Sequence, residues 1–405
     1  MPMRPPAGFI SAFYDPLNNP NAPTIGAASG GDASASVAFT APSNVGGSAI
    51  SGYGAISTPG AFTGTSATSP VTVTGLTNGT AYTFAVWAIN TYGPSAFSAS
   101  SGSATPAASR ALYIGGSPVS GYSNVISQIT IATTGNATSF GNLPEGRADL
   151  FACSSSTIAI CGGGNAPGPS QQFKVKTITF ASGGTATAWG DLATGVLYTR
   201  AISNSTIGYV FAGFDNGANL DPPLIQALTI ASGGTQSTFG NCTVKGRGGA
   251  GVASPTRGVF CLGYNDEMGG WINVLNYITF ATAGNAIDFG DLITAVTSSG
   301  SGSNSTRGIF GGGGVVGGGQ TNSIEYITIA TTGNGTDFGD LTQARSCAGA
   351  ASSTRVVFGG GFFSGDPQNV IDYVTIATTG NAIDFGDLIT AVSGNGACSN
   401  GHGGL

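Results

Sequence analysis

Residues 326–341 read Tyr326-Ile327-Thr328-Ile329-Ala330-Thr331-Thr332-Gly333-Asn334 and, a short step later, Asp337-Phe338-Gly339-Asp340-Leu341. An alternating run of β-branched residues leads into a Thr-Thr-Gly-Asn turn, and an aromatic follows the turn. The pattern returns along the C-terminal three-quarters of the chain, with its aromatic at Phe140, Trp189, Phe239, Phe289, Phe338 and Phe385. Neighbouring anchors stand about fifty residues apart, and each unit holds four apolar, strand-like runs.

A period near fifty with four strands per unit predicts a β-propeller, with one blade per repeat. The order within a unit is constant. A small-residue run comes first, as in Cys347-Ala-Gly-Ala-Ala-Ser-Ser-Thr, followed by Arg355-Val-Val-Phe-Gly-Gly-Gly. A variable loop leads to Ile371-Asp-Tyr-Val-Thr-Ile-Ala, the turn, and Asp384-Phe-Gly-Asp-Leu. This order resembles the kelch repeat, over residues 110–405. Trp189 keeps the family's Trp where the other copies use Phe, and Arg147 and Arg345 match its Arg before the inner strand; Val196, Val296 and Val392 do not.

The ends predict how such a ring shuts. After Val392 the last unit supplies only a first strand, and the missing second strand stands at Leu112-Tyr-Ile-Gly-Gly. Residues 393–399 are therefore expected to pair with 112–116, closing a six-bladed, kelch-like propeller and protecting its sheet edges. Inner runs such as Gly248-Gly-Ala-Gly-Val-Ala-Ser suit strands that converge on one axis, where volume is scarcest. The anchor aromatics are expected between blades, each buried ring contributing about 1.5–3 kcal/mol.

Upstream, short strands separated by turn residues run through 21–106: Ser36-Val-Ala-Phe-Thr, Ile50-Ser-Gly-Tyr-Gly-Ala-Ile and Val71-Thr-Val-Thr. Leu76-Thr-Asn-Gly-Thr-Ala-Tyr82 resembles the tyrosine corner of sandwich domains, and the segment resembles a fibronectin type III domain. The inward set of its last long strand should be Tyr82, Phe84, Val86 and Ala88. The resemblance implies a spacer or adhesion module without catalysis. Fold class and domains follow: all-β, with a Pro-rich arm at 1–20, a fibronectin III-like β-sandwich at 21–106 and the propeller at 107–405. In the arm, Phe9, Ile10, Phe13 and Tyr14 are candidates for docking onto other virion proteins or copies of the same chain.

Composition narrows the function. Apolar runs fall far short of the roughly 18 residues of a membrane span, so no membrane insertion is expected. The formal charge is −6, and the 12 Lys and Arg are scattered singly, which leaves nucleic acid without an electrostatic footprint. The six Cys form no CxxC pair and read as small core hydrophobes. The first residues carry no apolar stretch of a secretory signal. Adhesion-type modules without that signal suit a protein made in a host cytosol and used outside it, as a virion component is.

Candidate chemistry is sparse. Asp-Phe-Gly-Asp, as at Asp288, Asp291, Asp337 and Asp340, resembles a kinase metal motif without the kinase context, and repetition points to a structural turn whose carboxylates accept N–H groups. His402 is the single His; it reads as exposed, and it excludes a multi-His zinc or copper centre, including that of the copper oxidase built on a kelch-like propeller. Gly-rich stretches lack the Lys-Ser/Thr of a phosphate loop. No catalytic residue, cofactor or metal is expected; Asp215 with Asp221, or Asp266 with Glu267, lacks ordered calcium-ligand spacing.

Variability concentrates in the loops 117–124, 165–172, 214–223, 264–274, 314–322 and 362–369, which by position should share one region of the ring. They carry Tyr122, Phe214, Asp215, Tyr264, Asp266, Trp271, Phe362 and Phe363 as candidate binding residues. Aromatics beside carboxylates suit a glycan, whose flat face stacks on a ring, or a protein interface. The arm, the spacer and the Ile-Ala-Thr-Thr-Gly-Asn-Ala repeats together resemble structural proteins of marine tailed phages. That resemblance implies a non-enzymatic virion appendage, fibre or decoration protein that binds a host-surface glycan or a neighbouring subunit. A bacterial extracellular adhesin or filament subunit is the alternative; a polysaccharide-active enzyme is disfavoured by the shortage of His, Lys and clustered carboxylates.

Overall fold

The computed structural model describes residues 17–405 apart from 169–171, 212, 216–217, 219–220 and 235. The chain is all-β, built from small, mostly antiparallel sheets, and it divides into two compact units, Met1–Ala108 and Ser109–Leu405. Phe9, Ile10, Phe13 and Tyr14 lie outside the described residues.

The first unit closes two antiparallel sheets on one core. Thr24–Gly31, Ser34–Thr40 and Val71–Thr74 form one; Thr63–Ser66, Gly52–Thr58, Thr83–Asn90 and Gly93–Pro94 form the other. Alternation along Thr83–Asn90 turns Phe84, Val86 and Ala88 inward beside Tyr82, against Val37, Val71 and Val73. The Tyr82 hydroxyl accepts the Thr77 N–H at 3.1 Å, tying the ring to the turn before it. On the outer face Trp87 lies flat over Gly54, where an added Cβ would sit 2.1 Å from the indole. Ser95, Ser98 and Ser101 run beside the same strand. Each donates its N–H to a carbonyl of Ala88, Val86 or Phe84 and accepts that residue's N–H on its hydroxyl.

The second unit contains six sheets of at least four strands, here I to VI. Sheet I orders Gly396–Ser399, Arg110–Ile114, Val125–Thr130 and Thr138–Asn142, with Gly184–Thr185 added in parallel at its edge. Its first two strands join the two ends of the unit in the expected register region, with Cys398 opposite Leu112 and Ala397 opposite Tyr113. Sheets II, III and IV begin at Phe151–Ser154, Arg200–Ser203 and Ala250–Ala253; V and VI begin at Gly300–Ser303 and Ser346–Ala351. Each proceeds outward in sequence order.

Burial lies between sheets. One apolar cluster joins I to II, and others join II to III, III to IV, IV to V, V to VI and VI to I. The first strands are likewise neighbours in one unbroken circuit, Gly396–Ser399 touching both Phe151–Ser154 and Ser346–Ala351. The anchor aromatics occupy these seams, and the Trp189 indole donates across one to the Ile230 carbonyl at 3.2 Å. Phe239 alone among the anchors stays half-buried, its edge against Tyr209.

The repeat motif acquires its meaning at the same seams. The Gly-Asn turn of each of several sheets grips the outer strand of the sheet before it. Asn334 Oδ1 accepts the Asp291 N–H and Gly335 donates to the Asp291 carbonyl; Asn381 repeats this on Asp340, and Asn136 on Asp387. Arginines bind the opposite neighbour. Arg257 and Arg307 lie over Tyr277 and Tyr326, each 4.4 Å from the ring centroid, and donate to carbonyls of Ile329 and Ile376. Arg355 over Tyr373 reaches Ile131 in the same way, so the VI–I seam carries the same clasp as those between IV and V and between V and VI.

A third clasp comes from the middle of the third strands. Glu325 accepts the Ile293 and Thr294 N–H groups of the preceding sheet, Gln226 those of Ala193 and Thr194, and Asn276 that of Thr243. Asp372 does the same for Thr342 while pairing with Arg345 at 2.8 Å, both side chains fully buried. Arg147, equally enclosed, pairs with Glu145 at 3.0 Å.

Three expectations are corrected. Asp-Phe-Gly-Asp forms outer strand, not turn, in Ile287–Asp291 and Thr336–Asp340. Its use is main-chain: Gly290 and Gly339, at φ of 138° and 146°, let the strand bulge against the neighbouring Gly-Asn turn, while Asp288 and Asp337 stay exposed. Ser in the inner strands does more than save volume. The Ser203, Ser301 and Ser303 hydroxyls accept N–H groups of Ser154, Gly251 and Ala253 and donate to the carbonyls of the same residues, bridging adjacent sheet edges. His402 turns inward, its Nε2 2.8 Å from the Ser154 carbonyl, as residues 400–405 cross the first strands with Gly403 bonded to Ser303. The six Cys are buried, as composition suggested, and none is in a disulfide among the described residues.

Candidate functional site

Arg247 organises the densest polar cluster in the variable loops. It stands just before the first strand of sheet IV, where its backbone exchanges two 2.9 Å bonds with Tyr264. That pairing fixes the side chain between two rings, with the guanidinium carbon 4.9 Å from the centroids of both Phe214 and Tyr264. The guanidinium then forks onto carboxylates. Nη1 and Nη2 reach the two Asp266 oxygens at 2.7 and 3.0 Å, and Nη1 also reaches Asp221 at 2.8 Å.

Burial pushes the Asp221 carboxyl above its ordinary range, a shift that the Arg247 bond opposes. Burial works the other way on Arg247, but its bonds to Asp266 and Asp221 prevail and hold its pKa raised. A guanidinium therefore occupies the position between Asp221 and Asp266 that a bound cation would need. Among the described residues no group of His, Cys, Asp and Glu is arranged to hold a metal.

The hairpin of Tyr264–Asn265 and Gly270–Trp271 extends the cluster outward. Trp271 meets Tyr264 edge to face at 5.2 Å. Asn265 braces the tip, donating to the Lys245 carbonyl at 2.7 Å and accepting the Met268 N–H at 2.7 Å; Lys245 pairs with Glu267. Asp215, next to Phe214, accepts the Ala218 N–H at 3.1 Å and so turns its own loop.

The candidate residues thus separate into groups. Phe214, Tyr264, Asp266 and Trp271 converge, and Asp215 supports them from the Phe214 loop. Tyr122 lies toward a second focus around Tyr198, whose pKa is raised by burial first, then by Asp149 nearby, while Asn165 and Arg247 act against the shift. Loops from sheets I to IV therefore face one side. Phe362 and Phe363 end a long strand of sheet VI and remain over a third exposed, on a hairpin that reaches Gln320 of sheet V through Ser364.

Sequence reading missed Arg247, Tyr198, Asp149 and Asn165. One signal was available: Asp149, Tyr198 and Ser298 stand at the repeat position where Gly248 and Gly394 stand in other copies, and the structure gives all five a left-handed φ of 53° to 69°. A non-glycine there accepts backbone strain to project its side chain from that end of the inner strands. No protein-family model matches the chain, and comparison with curated proteins likewise finds no match.

Proposed function

We propose that the chain is a non-enzymatic virion appendage protein: a fibronectin III-like spacer bearing a six-bladed, kelch-like propeller whose loops bind a host-surface glycan. An apolar cluster between each pair of neighbouring sheets, the antiparallel pairing of Gly396–Ser399 with Arg110–Ile114 and the circuit of first strands support the propeller reading. The Tyr82–Thr77 bond and the two-sheet core support the spacer. Phage origin rests on the resemblance of arm, spacer and repeats.

The observation that carries the binding role is the Phe214–Arg247–Tyr264–Trp271 assembly with Asp266 at its rim. Aromatic rings held by a guanidinium and a braced hairpin give a preorganised stacking surface, and Asp266 keeps a half-exposed carboxylate to accept sugar hydroxyls. A surface already ordered loses little entropy on binding.

Glycan-array binding of the purified chain, followed by titration of the best ligand, tests this. Trp271→Ala should weaken binding about 10-fold or more while leaving the unfolding midpoint within about 2 °C. Equal affinity for Trp271→Ala and wild type would remove the loop cluster as the site. Antibody labelling in electron micrographs should decorate virions; labelling confined to uninfected bacterial cells would favour the adhesin reading instead.

A further inference from the structure

The second unit holds a half-open pocket of about 90 Å³ where the first strands of sheets I to VI converge. Its wall is small: Ala201, Gly251, Ser301, Ala350 and Ala397 are typical, and no Asp or Glu lines it among the described residues. Arg200 does line it. The side chain is half-buried, and part of it lines the pocket.

Arg200 is unlike the enclosed arginines. Arg147 has Glu145 and Arg345 has Asp372 within bonding distance. Arg200 forms no ion pair among the described residues, and one protein group accepts from it, the Thr199 carbonyl at 2.9 Å. The nearest acid, Asp149, is instead bonded to Asn165 at 2.9 Å. Three cavity hydroxyls are already directed, those of Ser203, Ser301 and Ser303 donating to carbonyls of the adjacent strands. A guanidinium stays protonated, so its remaining donors present a fixed positive charge to a polar pocket. Asp149 is near enough to act on Arg200, but no carboxylate bonds the guanidinium among the described residues, so its remaining donors are open to a counter-ion.

We propose that this cavity binds a small oxyanion, a carboxylate or a phosphate, on the free donors of Arg200. The fork of the guanidinium matches two oxygens of either group. The volume admits several waters and hence acetate or inorganic phosphate. Residues 400–405 cover one end of the first strands, with His402 lining the cavity, so entry is from the end of Asp149 and Tyr198. The site is separate from the loop cluster around Arg247 and does not depend on glycan binding.

Two measurements on the full chain test the site. Crystals of the wild type grown with selenate should show a selenium anomalous peak within hydrogen-bonding reach of Arg200. In solution, acetate and inorganic phosphate, titrated separately at constant ionic strength, should raise the unfolding temperature. The expected slope for the preferred anion is on the order of 2–3 °C per tenfold increase above its Kd, and Arg200→Gln should abolish it. The steeper response identifies carboxylate or phosphate as the ligand class. A wild-type cavity holding water alone in selenate, or equal shifts in wild type and Arg200→Gln, overturns the proposal. Should Arg200→Gln fail to fold, the wild-type selenate map alone decides.

Discussion

Phe385 and Phe338 offer a direct test of ring closure. Each is 2% exposed, and each meets a tyrosine of its own sheet edge to face at 5.9 Å, Tyr373 for Phe385 and Tyr326 for Phe338. Their seams differ only in chain distance. Phe338 packs between consecutive sheets V and VI, whereas Phe385 packs between VI and I, beside Tyr113, Ile129 and Ile131. Removing a buried Phe side chain costs about 3–5 kcal/mol through lost transfer energy and the cavity left behind. If the ends of the unit are held together as described, Phe385→Ala and Phe338→Ala should destabilise equally, within about 1 kcal/mol. Urea unfolding followed by far-UV circular dichroism gives both values, each from its shift in midpoint at constant slope. A loss below about 1 kcal/mol for Phe385→Ala, beside a full loss for Phe338→Ala, would mean an open VI–I seam and refute the closed arrangement.

Smaller perturbations test the clasps. Asn136→Ala and Asn334→Ala each remove one side-chain acceptor from a main-chain N–H, and each should cost about 0.5–1.5 kcal/mol in the same denaturation assay; unequal costs would set the two seams apart. Burial raises the Glu325 carboxyl above its ordinary 4.5, so proton binding favours the folded state and the ionised form weakens it. Glu325→Gln can adopt the arrangement already present at Gln226, whose Oε1 accepts two successive N–H groups. Its stability relative to wild type should therefore rise as pH climbs past 4.5 and vanish below it, measured by thermal unfolding across pH; the opposite slope would show the carboxylate to be favourably paired.

Much of this architecture was legible because it is repeated. A motif that returns six times averages out local accident, and its terminal mismatch located the pairing of Cys398 with Leu112. Strand alternation gave the inward set Phe84, Val86 and Ala88 for the same reason. What the repeat concealed was the target of each motif. Asp-Phe-Gly-Asp and the Gly-Asn turn look like two local turns, yet they are two halves of one contact between different sheets. A partner roughly fifty residues away leaves no local trace. His402 misled because position in a chain says nothing of the carbonyls that await a side chain.

The candidate site was legible only in part, because its centre is a residue without a counterpart. Aromatic and acidic loop residues signalled themselves by type, but Arg247 sits in a Gly-rich stretch and becomes important through Phe214 and Asp221 from another loop. Charge economy makes that placement informative. With 12 Lys and Arg in 405 residues, few cations remain after structural uses are removed. Arg110, Arg257, Arg307 and Arg355 bind carbonyls of the next sheet, Arg345 neutralises the buried Asp372, and Arg147 pairs with the half-buried Glu145. Arg247 also pairs with a buried acid, Asp221, but lies against two aromatic rings as well, and Arg200 forms no ion pair among the described residues. One holds an open aromatic surface in shape, and the other presents donors to the central pocket. A fold that places most of its charges at seams leaves these two arginines as the places where its chemistry can meet a ligand.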